Sequence, residues 1–271
     1  MKIGIFDSGL GGLAILKDIL KLLPQYDYVF LGDNARTPYG GRSPYVIYEF
    51  TKRAIDFLID NDCRLIIVAC NTASAVALRK IQQRYLPDKH PAKKVLGVIR
   101  PTVEAVVENG GSHIAVIGTY ATIRSNAFPR EIRKILPAAK IYQKPTPLLV
   151  PIIEEGEIDW IGTNLLLKRY LKRFIEKNID TLVLGCTHYG LIQEKIRALF
   201  QENTRIISQG NAVAEKLKSY LKQHSEIEKQ LSQKGKRNLY VTDMNQRYRK
   251  VAQLFLKNHF GNRDTFSLIR I

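Results

Sequence analysis

The chain has 271 residues, 45% apolar and 25% charged, enough for one large or two modest domains with a buried core. No run approaches the roughly 18 apolar residues of a membrane span, and an acid at position 7, where a secretory signal is still apolar, argues against export. The three cysteines, Cys63, Cys70 and Cys186, form no CxxC pair and no even-numbered framework, which speaks against a disulfide scaffold or structural zinc and for a cytoplasmic setting. The net charge of +17, enriched from Val213 to Ile271, favours anionic partners and weak binding to nucleic acid or other polyanions, without bearing on fold.

Short apolar runs alternate with helical patterns. A strand is predicted over 2–6, then the turn Asp7-Ser8-Gly-Leu-Gly-Gly12, then a helix over 13–23 ended by Pro24. A second strand over 28–31 closes on Gly32-Asp33-Asn34. A helix follows over 45–60, and a third strand over 65–69 runs into Cys70-Asn71-Thr72-Ala73-Ser74 and another helix. The Pro- and Gly-punctuated stretch 87–101 reads as a crossing. The pattern then restarts: a strand over 113–117 ending in Gly118-Thr119, helix to about 136, a short strand over 139–142, helix over 165–178, and a strand over 181–185 running into Cys186-Thr187-His188. The remainder is helical, with a strand over 238–242 and a final helix.

Apolar strands separated by helices mean parallel sheets covered on both faces. Asp7 and Cys70 are 63 residues apart, Thr119 and Cys186 are 67 apart, so the chain reads as an internal pseudo-repeat of two α/β units, each presenting a cysteine after a strand. The expected division is 1–95 with 211–271 as a discontinuous first domain and 96–210 as the second.

In open parallel sheets ligands bind beyond the carboxyl ends of the strands, where Asp7-Ser8, Asp33-Asn34, Cys70-Asn71-Thr72, Thr119 and Cys186-Thr187-His188 all fall. A thiol at a helix N-terminus is easier to ionise, and the same backbone N–H groups can hold a carboxylate. Each feature also has a structural alternative. A buried cysteine is usually a small hydrophobe, the reading that suits Cys63; Asp7 could cap the following helix; His188 could be a hydrogen-bonded core residue; Glu154-Glu155 could be a solvated helix start. The SGLGG segment matches neither GxGxxG nor a Walker loop, and no cluster has metal-ligand spacing.

In order, the motifs GIFDSGLGGLAIL, GDNARTPYGGRSP, ACNTASA, VPIIEEGEID and DTLVLGCTHYGLI resemble those of bacterial glutamate racemase from Met1 to about Ile207, and Leu239-Tyr-Val-Thr-Asp243 resembles that family's closing strand. The resemblance implies two pseudo-symmetric, doubly wound α/β domains with mainly parallel sheets and the active site between them. It implies cofactor-independent, metal-free racemisation of L-glutamate to D-glutamate for peptidoglycan, with Cys70 and Cys186 as paired acid/bases. Asp7 would assist Cys70 and His188 would assist Cys186. Ser8, Tyr39, Gly40, Asn71, Thr72 and Thr187, with Asp7 and His188, would bind substrate, and Asp33 and Glu154 would be supporting acids. Family members are often homodimers. The chain starts directly at the first strand, from which no requirement for an activating cell-wall precursor is expected.

Four positions depart from the family pattern: Asn34, Thr146, Gln209, where Asp is usual and the difference reads as structural, and Gly190, which gives the turn after His188 added backbone freedom. The alternatives are a racemase for aspartate or another amino acid, and a polyanion-binding role for the basic surface.

Overall fold

Strand ends decide where the chemistry sits. The computed structural model describes residues 1–256 and 266–271, without the side chains of Arg247 and Leu256. The first sheet takes β1 (Lys2–Asp7), β2 (Tyr28–Gly32), β3 (Cys63–Val68) and β4 (Lys94–Gly97); the second takes β5 (His113–Gly118), β6 (Lys140–Pro145), β7 (Thr181–Gly185) and β8 (Arg205–Ile207). The chain then returns to the first sheet with β9 (Arg237–Val241), which pairs with β2, and β10 (Phe266–Leu268), which pairs with β9. Every ladder is parallel. The orders are β10-β9-β2-β1-β3-β4 and β6-β5-β7-β8.

The segment β2-β1-β3-β4 and the whole of the second sheet share one winding, so β1 corresponds to β5 and β3 to β7. In both, strand order reverses at the central pair, and the crevice beyond those carboxyl ends is the expected ligand site. The α/β class and the pseudo-repeat are borne out. Chain order and register place Asp7 at the last position of β1, Cys70 after β3, Thr119 after β5 and Cys186 after β7.

Local sequence explains the helices beside the site. Helix α1 (Gly12–Leu22) buries Leu13, Leu16, Ile19 and Leu20 at helical spacing, and Leu23, kept out of the helical region before Pro24 (φ −134°, ψ 57°), ends it. Each such side chain contributes about 1.5–3 kcal/mol on full burial. Helix α2 (Pro44–Asp60) starts with Pro44, whose missing N–H costs nothing there, after an N-cap Ser43 whose Oγ accepts from Val46 N at 3.3 Å. The return helix Gln209–Gln223 packs its Val213, Ala214, Leu217 and Leu221 into the core shared with α1.

Four stretches differ from the sequence expectation, two of them being β8 and β10, which lie where no strand was expected. The span 87–101 contains β4 and the start of a helix, Ile99–Glu108, with Pro101 in its first turn where no backbone donor is needed. The short strand expected over 139–142 extends to Pro145. The final helix is Gln246–Leu256. Among the described residues no helix is long and apolar enough to cross a membrane.

Candidate active site

Cys70 caps helix α3 (Asn71–Val76): its Sγ accepts from Ala73 N at 3.4 Å and lies 3.1 Å from Ser8 Oγ. The chain reaches this point from β3, while Ser8 follows β1, so the contact joins two neighbouring strand ends. Burial pushes the Cys70 thiol up to about 12, and the nearby Asp7 adds to the effect against the hydrogen bonds from Ser8 and Ala73.

Cys186 enters from the second sheet, at the end of β7. Its Sγ faces His188 Nδ1 at 3.7 Å, and the other ring nitrogen, Nε2, meets Glu154 Oε1 at 2.5 Å. Burial alone would lower His188, but the hydrogen bonds to Cys186 and Glu154 and the negative charge of Glu154 outweigh it, holding the imidazole well above its ordinary value. Glu154 ends the helix Leu149–Glu154 as a buried side chain, whereas Glu155 is exposed, so the pair is not a solvated helix start.

The two halves touch. Thr187 Oγ1 donates to Asp7 Oδ1 at 3.3 Å, and Thr72 Oγ1 lies 2.9 Å from Thr119 Oγ1 across the sheets. Asp7 also accepts from the backbone N–H groups of Gly9 and Gly12 at the start of α1, so it caps the turn while standing in the site. Its complete burial raises its carboxyl, opposed by the charge of His188.

The glycines of Ser-Gly-Leu-Gly-Gly are explained by this closeness. A Cβ on Gly11 would lie 2.4 Å from Thr187 Oγ1 and 2.8 Å from His188 Nδ1, and one on Gly12 would lie 2.5 Å from Asp7 Cβ. Gly40 is pressed on Thr119 in the same way, at 2.4 Å.

Ser8, Tyr39, Gly40, Cys70, Asn71, Thr72, Cys186, Thr187 and His188 line one narrow cavity. Asp7, Asp33 and Glu154 stand behind that lining. Asp33 is fully buried and takes hydrogen bonds from Tyr39 OH and Thr242 Oγ1 and an ion pair from Arg36 at 2.7 Å, so it holds the loop bearing Tyr39 and Gly40. Asn34 ties the same loop to the closing segment, its Oδ1 accepting from Thr242 N and Asp243 N. Thr37, Pro38, Thr119 and Val150 also line the cavity. Thr119 was legible as a strand-end residue; Thr37 and Val150 carried no signal of their own. Thr37 Oγ1 and Asn71 Nδ2 are buried without a hydrogen-bond partner among the described residues, donors suited to a polar ligand.

The comparisons with known proteins agree with this geometry. Residues 7–217 match the family model described as Asp/Glu/Hydantoin racemase. The chain belongs to that racemase family. A glutamate racemase of Aquifex aeolicus is 40% identical over 94% of each chain, and that of Geobacter metallireducens is 38% identical over 96% of this chain and 94% of the relative. Among solved structures, glutamate racemase of Francisella tularensis in complex with D-glutamate superposes with a TM-score of 0.88 at 35% identity, covering 99% of this chain and 97% of that one. Glutamate racemase of Aquifex pyrophilus gives 0.78 at 35% identity over 98% of each. Racemases are isomerases, and the resemblance read from the motifs is borne out by the family match.

Proposed function

We propose that the chain interconverts L- and D-glutamate by proton transfer at Cα between Cys70 and Cys186, with no cofactor. The observation that carries this reading is that the two sulfurs enter one cavity from two different sheets, one beside a carboxyl and the other beside an imidazolium.

Inverting Cα requires a proton to leave one face while another arrives on the opposite face. Two groups fixed on separate sheets do this without either crossing the substrate. Cys186, facing the positive His188, is placed to accept the Cα proton as a thiolate. Cys70, held protonated by burial and by Asp7, is placed to deliver one. The C–H electron pair passes to Cα as the proton moves to Cys186 Sγ, and the new C–H bond takes the proton of Cys70. The free enzyme is then poised for the opposite enantiomer.

A Cα proton is far less acidic than a thiol, so the barrier must fall through positioning and an enclosed, preorganised polar site. Ser8, Asn71, Thr72 and Thr187, with Tyr39 and Gly40 on the loop held by Asp33, would bind the carboxylates and ammonium group. Asp7 would tune Cys70, and His188, oriented by Glu154, would tune Cys186. The product would supply D-glutamate for peptidoglycan in the cytoplasm. Two domains, 1–95 with 211–271 and 96–210, would carry the site between them; the pairing of β4 with β3 favours moving the first cut past Gly97.

The test is circular dichroism of each glutamate enantiomer with purified, reduced protein and no added cofactor, with aspartate alongside. Loss of optical activity from glutamate supports the reading. Loss from aspartate alone corrects the substrate, and no change with either overturns it.

A further inference from the structure

Gln209 follows β8 and opens the return helix, 3% exposed. Its Nε2 donates to Leu184 O and to Asn71 Oδ1, the latter at 3.4 Å. Leu184 lies two residues before Cys186, and Asn71 directly follows Cys70. One side-chain amide therefore joins the strand leading to one sulfur with the residue after the other. The neighbouring Gly210 faces α1: a Cβ there would lie 2.0 Å from Asp18 Oδ2.

We propose that Gln209 is a positioning residue that locks the Asn71 amide with its donor available to the substrate. An asparagine side chain presents one acceptor and one donor end. With Oδ1 engaged by Gln209, Nδ2 is the end left without a partner among the described residues, buried in a residue that lines the cavity. A donor suits a substrate carboxylate, and an amide already fixed loses no rotational freedom on binding. The substrate part of this inference rests on the reading of Asn71 as a substrate-binding residue.

The experiment compares Gln209→Glu and Gln209→Ala with the wild type, after thermal melting confirms that each is folded. An ionised carboxylate at this position cannot donate to either acceptor, so Asn71 turns its Nδ2 toward it and offers Oδ1 to the substrate. KM for glutamate in Gln209→Glu is expected to rise about tenfold, with kcat within about threefold. Lowering the pH, which protonates the introduced carboxylate and restores a donor, is expected to relieve the penalty. Gln209→Ala should show a similar rise without relief. A Gln209→Glu variant with unchanged KM at every pH, or one losing kcat alone, overturns the proposal. In ligand-free protein, the Asn71 side-chain NH₂ signals, identified by their loss in Asn71→Asp, should shift in Gln209→Ala. Unmoved signals overturn the proposal even if the wild type racemises nothing, whereas an inactive wild type with shifted signals overturns only the proposed substrate.

Discussion

Glu154 Oε1 and His188 Nε2 make a buried contact of 2.5 Å, while the opposite ring nitrogen faces Cys186 Sγ at 3.7 Å. The imidazole is thus held between an anion and a sulfur, and Phe255 closes it off with a perpendicular ring at 5.9 Å between centroids. Glu154→Gln removes one of the interactions that, with the hydrogen bond to Cys186, keep His188 protonated, but leaves a group of the same shape. We expect kcat to fall about tenfold to a hundredfold. Without the anion His188 loses its proton at lower pH, so the alkaline limb of kcat/KM should move to lower pH, read from pH–rate profiles in both directions. The sign for stability follows from the raised value: the charged histidine stabilises the fold fully below about pH 6.5 and less as pH rises through its folded value. The melting-temperature gap between wild type and His188→Gln should narrow across that rise.

Neither cysteine can do the other's work if they serve opposite faces of Cα. Cys70→Ser and Cys186→Ser should each lower racemisation by about a thousandfold or more, since a hydroxyl is a far poorer base than a thiolate. Circular dichroism of both enantiomers measures this. An active single variant would remove the two-thiol mechanism.

Thiol chemistry should report the asymmetry of the two sides. Cys63 and Cys70 are both pushed up to about 12 by burial, so little thiolate forms near neutrality. Iodoacetamide should label Cys186 first, with labelling of Cys70 rising about tenfold per pH unit on the alkaline side. Glutamate should protect Cys70 and Cys186 but not Cys63. Peptide mass mapping over a pH series distinguishes the three sites.

A methyl group at position 11 has nowhere to go. Gly11→Ala should cost about 1–3 kcal/mol of stability through overpacking and should displace Thr187 and His188, depressing kcat. Gly190→Ala is the control, because among the described residues nothing lies within 4 Å of its Cβ position and its φ is outside the left-handed region. Thermal melts and steady-state kinetics of the pair check both halves. The backbone freedom that a glycine allows after His188 is therefore not used.

The central strands and both cysteines were legible because apolar runs ending in small polar residues mark the carboxyl ends of buried parallel strands. The edges were not. In β4 only Val95 is fully buried, and β10 has no buried residue, so neither presents an apolar run. Pro101 read as punctuation because composition does not distinguish a loop proline from one in a helix's first turn. Within the site, Asp7, Cys70, Cys186 and His188 stood out by chemical type and place. Gly11 and Thr37 did not, and Gln209 stood out only as a departure from the family pattern, because what such residues do is set by a partner far away in sequence: Thr187 for Gly11, Asn71 for Gln209.

The pairing of β2 with β9 has a consequence for how the chain is made. Residues 28–32 leave the ribosome some two hundred residues before Arg237–Val241, their neighbour in the finished sheet. Throughout that interval β2 presents an open, apolar edge, the kind of surface that invites mispairing. The second sheet has no such wait, since β5 to β8 follow one another without interruption. Vectorial synthesis thus favours completion of the sheet that carries Cys186 before the one that carries Cys70. Truncations ending before Arg237 should show the first sheet as the aggregation-prone part of the nascent protein.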